Sequence, residues 1–281
     1  MYRENQGAVD SDPGAAALST SSRPTSFLQA IRTRPNPVLG AALTIPSTTV
    51  AQIVAQECDF VLIDMEHSPL GPELMTQMVH AVVSSSRGSC FPVVRVPTAG
   101  VEWIKWALDS GAAGIIIPMI NTKKQAEEVI EQALFPPRGK RSFGPSRAPW
   151  ALPDGSQGGV GTYFRRALSE EIAILPMIES AEGVKNVTDI VSISGVSGVF
   201  IGPMDLRMSL GLSGADGNEP VYKTSLDMIL QAAKDHKKLV GTLGIGLETA
   251  KKRTQEGIDF LVVSTDAGVL STGTDWRRSI S

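Results

Sequence analysis

Eight short β-rich runs, each handing over to a helix-like stretch, constrain this chain more than any other feature. The runs cover 38–43, 60–63, 92–96, 114–118, 172–178, 198–201, 239–243 and 260–263. They are almost unbroken in Val, Ile, Leu and Phe, as strands covered on both faces must be. Helical periodicity fills the spaces between them, at 47–56, 72–84, 102–110, 122–134, 183–192, 221–236 and 248–256. Ser47 reads as an N-cap, Thr122 and Gln125 as a capping box, and Gly111, Gly195 and Gly257 stand where helices should stop. Parallel neighbours need a crossover helix, so this alternation predicts an α/β fold, a (β/α)8 barrel. The last helical stretch, 267–278, is short for covering such a barrel.

A chain of 281 residues suits one barrel domain, placed at 26–281. Residues 1–25 are rich in Ser, Ala, Gly, Asp and Pro and bury too little to offset the entropy of ordering. They are expected to form a disordered tail, neither a mitochondrial nor a secretory leader. Twenty-six basic against 29 acidic residues give a net charge of −3, which argues against nucleic acid as a partner. No apolar run reaches membrane-spanning length, so no membrane partner is expected. Two cysteines, Cys58 and Cys90, cannot build a disulfide framework and suggest a reducing, cytoplasmic setting. The connection 134–172 is crowded with Pro and Gly and reads as a long structureless loop, on the face that barrel enzymes do not use.

The used face lies at the C-terminal ends of the strands. There the second strand breaks into Asp64-Met65-Glu66-His67, the third runs into Arg95, the fifth stops at Glu179, and the sixth enters Gly202-Pro203-Met204-Asp205. A carboxylate left unpaired at the end of a buried strand is costly, and a shared cation or substrate offsets that cost. Glu179 and Asp205 come from neighbouring strands and offer hard oxygens suited to Mg²⁺ or Mn²⁺; the plain alternative is salt bridges or helix caps. Arg95 is either a clamp on a carboxylate or developing enolate, or a rim ion pair. His67 is a candidate base or an ordinary histidine, whereas His80 and His236 lie on predicted helices and read as structural. No lysine falls in a predicted strand, which disfavours imine catalysis. Nor is there a phosphate loop, a dinucleotide fingerprint or zinc spacing, so no organic cofactor is expected.

The stretches Asp59-Phe-Val-Leu-Ile-Asp-Met-Glu-His67, Pro92-Val-Val-Arg-Val-Pro97, Ala107-Leu-Asp-Ser-Gly-Ala-Ala-Gly-Ile-Ile-Ile-Pro118, Pro136-Pro-Arg-Gly-Lys-Arg-Ser142, Ile178-Glu-Ser-Ala-Glu-Gly183 and Gly198-Val-Phe-Ile-Gly-Pro-Met-Asp-Leu206 resemble the HpcH/HpaI aldolases. Residues 36–40, 45–48 and 141–143 are also similar to macrophomate synthase, a member acting on oxaloacetate. The resemblance implies a barrel of the phosphoenolpyruvate/pyruvate-binding type that cleaves 4-hydroxy-2-oxo acids to pyruvate and an aldehyde. It implies a divalent ion (Mg²⁺, Mn²⁺ or Co²⁺) on Glu179 and Asp205, His67 as base, Arg95 on the enolate, and Asp109 raising the basicity of the histidine. Asp109 is expected near a helix end by the opposite face, so that contact calls for a neighbouring subunit. Gly202 and the backbone N–H groups of Met204 and Asp205 are implied to bind the pyruvate carboxylate. A homo-oligomer, a hexamer or trimer of dimers, is implied as well.

One position departs from that pattern. Met177 stands where the family carries a substrate-contacting glutamine, and a thioether donates no hydrogen bond. Arg207 is expected to add positive charge near the pocket. Oxaloacetate decarboxylation, with or without enolate capture, is the first alternative reading, and a silent barrel that binds a 2-oxo acid is the second.

Overall fold

The computed structural model describes residues 23–152 and 159–273. Within them eight parallel strands close into a barrel in sequence order. They are β1 (Val38–Leu43), β2 (Phe60–Asp64), β3 (Phe91–Arg95), β4 (Gly114–Ile117), β5 (Ala173–Ile178), β6 (Gly198–Ile201), β7 (Leu239–Leu243) and β8 (Phe260–Thr265). β8 pairs back onto β1, with a register shift between Gly40 and Ala41. The fold is the (β/α)8 barrel that the alternation predicts.

Strand periodicity sorts the apolar residues into two cores. Phe60 and Leu62 of β2, Phe91 and Val93 of β3, Leu175 and Met177 of β5, Phe200 of β6 and Phe260 of β8 fill the barrel interior. The alternate residues, such as Val61, Ile63, Val94, Ile174 and Ile178, meet the surrounding helices. Two residues beyond each inward apolar pair the same face reaches Asp64 on β2, Arg95 on β3 and, past Met177, Glu179 after β5. The charged rim is therefore the continuation of the core's own alternation.

The opposite mouth is closed by a helix that the sequence pattern did not announce, Phe27–Thr33. Ser26 caps it, accepting from the Gln29 N–H. Phe27 is fully buried, and its ring centroid lies 5.2 Å from that of Phe60, 6.2 Å from Phe91 and 5.4 Å from Phe260. Glycine is required at position 241, where a Cβ would overlap the Phe260 ring.

Other expectations need correction. The 134–172 connection is not structureless: it holds a 3₁₀ turn, Ala148–Ala151, and a helix, Gly159–Leu168. Buried Tyr163 anchors that helix by donating to the Leu108 carbonyl at 2.7 Å and accepting from Arg141 at 3.0 Å. The helix expected over 183–192 splits into Ala181–Lys185 and Val187–Val191, and the Asn186 amide between them donates to the Asn121 carbonyl at 2.8 Å. A short helix, Pro203–Ser209, follows β6 where only a break was expected. The terminal helix is Asp266–Thr272, and the rest of 267–278 lies outside the described residues. So do residues 1–22 of the expected tail, but its last three are held: Arg23 donates to the Arg87 carbonyl at 2.9 Å, and the Thr25 N–H to Gln29 at 2.7 Å. No described helix is long and apolar enough to cross a membrane.

Because Phe27 closes the lower mouth, Phe27→Ala should cost about 3–5 kcal/mol of unfolding free energy. Urea unfolding of both proteins checks this, and an unchanged midpoint would show that the plug carries no stability.

Candidate active site

The rim is organised from one ladder rung. Asp64 and Arg95 are register partners across β2 and β3. The guanidinium grips the carboxylate with two bonds, Nε to Oδ1 at 2.8 Å and Nη2 to Oδ2 at 2.6 Å. Asp64 Oδ1 also accepts from the backbone N–H groups of Glu66 at 3.0 Å and His67 at 3.4 Å, so it shapes the turn after β2. Burial pushes the Asp64 carboxyl up, but the hydrogen bonds and charge of Arg95 win and hold it below the usual range.

Arg95 has one arm left. Its Nη1 lies 3.2 Å from Glu66 Oε2, and the same oxygen is 3.7 Å from His67 Nε2. Glu66 Oε2 is nevertheless buried and makes no well-formed hydrogen bond. Burial raises the Glu66 carboxyl, with Arg95 and His67 opposing and Asp64 and Asp205 adding to the rise. His67 itself is open to solvent, its side chain 64% exposed.

Glu179 sits across from this group and is almost wholly buried. Its Oε1 accepts the Met119 N–H at 2.7 Å. Burial pushes its carboxyl up to about 7; the Met119 bond and Arg95 oppose this, while the charges of Glu66 and Asp205 reinforce it. Glu66, Glu179 and Asp205 thus repel one another around a single guanidinium that Asp64 already occupies.

That donor set suits a hard divalent cation. Asp64, Glu66 and Glu179 face one arginine, the Asp205 charge acts on Glu66 and Glu179, and the buried Glu66 Oε2 makes no well-formed hydrogen bond. Among the described residues no three His, Cys, Asp or Glu are gathered closely enough to enclose an ion. Two carboxylates with open positions for water or substrate remain the arrangement consistent with this. Gly202 keeps the space clear, because a Cβ there would strike Glu179 Oε2 and the Met177 methyl. Pro203 begins the following helix, so Met204 and Asp205 are the first-turn residues with N–H groups to offer. The first intrahelical bond, from the Leu206 N–H to the Gly202 carbonyl at 3.0 Å, comes after them.

His67, Arg95, Glu179, Asp205, Gly202, Met204 and Met177 therefore gather at one end of the barrel. Asp109 does not join them. It ends the outer helix Val101–Asp109, and its carboxylate accepts from buried Arg141 at 2.6 Å. The carboxylate beside His67 within the chain is Glu66. Arg207 also points elsewhere: it is buried under the 210–219 loop, bonded to both oxygens of Glu219 and to the Ser213 and Gly214 carbonyls. The hydrogen bond from Arg207 pushes Glu219 down to about 2. Asp64, Glu66 and Met119 are rim residues that sequence reasoning left without a role. Glu66 stood in the quoted break after strand two, while the Met119 contact is made by backbone and leaves no trace in residue type.

The HpcH/HpaI aldolase/citrate lyase profile matches residues 44–272. The chain belongs to the HpcH/HpaI aldolase/citrate lyase family. It is 34% identical over 237 residues to a hydroxypyruvate/pyruvate aldolase of Rhizorhabdus wittichii, covering 84% of this chain and 90% of that protein. A 5-keto-4-deoxy-D-glucarate aldolase of Escherichia coli is 34% identical over 216 residues, 77% of this chain and 80% of that protein. An HpcH/HpaI family protein from Burkholderia cenocepacia superposes with a TM-score of 0.80 at 28% identity, over 92% of this chain and all of that one. Macrophomate synthase does so with a TM-score of 0.80 at 27% identity, over 91% and 89% of the two chains. These curated relatives of the HpcH/HpaI chain are aldolases.

The raised Glu179 carboxyl gives the metal-free HpcH/HpaI chain a pH signature. The folded state holds this proton more tightly than the unfolded chain, whose value is near 4.5. Its favourable contribution is complete below 4.5 and is lost as pH rises toward about 7. Glu179→Gln should match the metal-free wild type in Tm near pH 4.5, exceed it increasingly up to about pH 7, and hold a constant excess above that. Parallel Tm curves across that range would refute the assignment.

Proposed function

We propose that this chain is a divalent-metal-dependent aldolase that cleaves a 4-hydroxy-2-oxo acid into pyruvate and an aldehyde. The observation that carries this reading is buried Glu179, raised to about 7 among Glu66 and Asp205 at the rim of a pyruvate-aldolase-like barrel. Glu179 and Asp205 would hold the ion. Once bound, it supplies Lewis-acid polarisation of the 2-oxo group and neutralises the carboxylate excess.

The chain's own groups do the rest. The Met204 and Asp205 N–H groups face the substrate carboxylate from the first turn of Pro203–Ser209. His67 takes the proton of the 4-hydroxyl, and C4 becomes the aldehyde carbonyl. The C3–C4 electron pair moves into the C2–C3 bond, leaving negative charge on the 2-oxo oxygen. Arg95 Nη1 faces that charge from a guanidinium already fixed by Asp64, so little reorganisation is needed as the charge develops. C3 then takes up a proton to give pyruvate, and His67 gives up the one it holds. Asp109 is engaged with Arg141 and can serve His67 only from a second copy, which is our reason for expecting a homo-oligomer.

A second reading, decarboxylation of oxaloacetate, is favoured by the loose hold on His67. Its side chain is mostly exposed, and Glu66 at 3.7 Å is its ionic partner. Decarboxylation needs no base at that position.

Pyruvate release separates the two readings. The Mn²⁺-loaded protein is given oxaloacetate and a racemic 4-hydroxy-2-oxo acid in parallel. Release from the hydroxy acid should require metal, vanish in Glu179→Ala, and fall by about 10²–10⁴-fold in His67→Ala. Turnover of oxaloacetate alone, indifferent to His67→Ala, would replace the aldolase reading with the decarboxylase.

A further inference from the structure

The helix that carries Asp205 has little to hold it where it begins. Pro203–Ser209 has seven residues, too few for a helix to stand alone in water. Gly202 caps it without a side-chain hydrogen bond, and Pro203 at its first position has no N–H. Leu206 is buried in the core, a contact without direction, and the Ser209 hydroxyl accepts the Ala181 N–H at 2.9 Å. Most of the directional side-chain bonding of this helix is made by Arg207.

Among the described residues Arg207 is the largest fully buried side chain. Its Nη1 and Nη2 grip the two Glu219 oxygens at 2.7 and 2.8 Å. Nε donates to the Ser213 and Gly214 carbonyls at 3.1 and 3.0 Å, and Nη2 to Ser213 at 2.6 Å. The Arg207 carbonyl accepts the Leu210 and Leu212 N–H groups at 3.1 and 2.8 Å. The chain from 210 to 219 is thus wrapped around one residue, so closely that a Cβ on Gly217 would overlap Nη1 and Glu219 Oε2. The wrap is tied down from outside. Asp216 pairs with Arg253 at 2.5 Å and Lys252 at 3.0 Å on helix Leu247–Gln255. The Tyr222 ring, on helix Pro220–Asp235, lies 4.9 Å from the Arg207 guanidinium carbon.

A buried ion pair adds little net stability over apolar packing of equal volume. What it adds is direction. Residues two apart on a helix face nearly opposite ways, so a side chain locked on one face sets the rotation of the other. Resting on the aldolase reading, in which Asp205 helps to hold the ion, we propose that Arg207 is a positioning residue for the metal site. The 210–219 loop holds the guanidinium, the guanidinium holds the helix, and the helix presents the Asp205 carboxylate to the rim.

The sign of the effect separates position from charge. Arg207 is a cation two residues from a cation ligand, so by charge alone its removal would tighten the ion. Acting through position, its removal loosens the ion.

The test is Mn²⁺ binding to the full-length protein without substrate, read from the EPR signal of the free ion, with Tm measured on the same samples. Glu179→Gln should lose most of the binding, which checks the reading beneath the proposal. Arg207→Met and the milder Arg207→Lys should each raise the Mn²⁺ Kd about tenfold or more, the usual scale for groups that orient a metal ligand. Lysine keeps the charge but cannot make the planar two-pronged grip. Phe27→Ala, at the opposite mouth, should lower Tm and leave the Kd as it is. Unchanged or tighter binding in either Arg207 variant overturns the proposal and leaves the metal assignment standing. So does an equal loss of affinity in Phe27→Ala, which would mark a general loosening of the barrel. No binding by the wild type, or wild-type affinity in Glu179→Gln, overturns the metal assignment and the proposal together.

Discussion

Asp64 and Arg95 face each other across the β2–β3 ladder, and the chemistry of the rim follows from how completely they satisfy one another. A two-pronged pair of this kind at a strand end adds little net stability, because desolvating both ions offsets most of their attraction. What it does is fix a cation in place. Two of the guanidinium's donors are used up on Asp64, and the same carboxylate orders the turn that carries Glu66 and His67. The remaining arm of Arg95, Nη1, stays at the rim, 3.2 Å from Glu66 Oε2. Burial, reinforced by the charges of Glu66 and Asp205, raises the Glu179 carboxyl to about 7.

An arrangement so unfavourable at one end needs support from the rest of the barrel. The lower mouth supplies it with Phe27, Phe60, Phe91 and Phe260, whose tilted and edge-on ring contacts form a dry aromatic floor. Between floor and rim the inward residues are apolar, so on β2, β3 and β5 the change from apolar to charged layers falls within two residues. At the rim Met119 takes a left-handed conformation, and its N–H meets Glu179. Active sites in barrels sit where local rules are broken against a scaffold that keeps them elsewhere.

Most of that scaffold was legible in the residues. Eight apolar runs announced eight strands, and the charged residues that follow some of them, Arg95 and Glu179 among them, could be read as a rim at the strand C-terminal ends. The helix Phe27–Thr33 was hidden because it is short, starts inside a stretch rich in Ser, Thr and Pro, and owes its stability to rings that arrive from strands far along the chain. The Gly159–Leu168 helix was masked by the Pro and Gly before it and by Gly159 and Gly161 in its first turn. Its anchor, Tyr163 on Arg141 and on the Leu108 carbonyl, joins segments that sequence cannot bring together.

Arg207 shows how one missed element propagates. Two residues from Asp205, it looked like a second charge for the pocket, and in an irregular loop it could have been. Pro203–Ser209 is instead helical, and residues two apart on a helix are turned about 200° from one another. With Asp205 at the rim, Arg207 must face the far side. There it meets Glu219, the Ser213 and Gly214 carbonyls and the ring of Tyr222, 4.9 Å from its guanidinium carbon. The proline that leaves the turn one N–H short also starts the helix that sends this cation away. The same three residues, Gly202, Pro203 and Met204, thus set both the shape of the turn at the rim and the charge that reaches it.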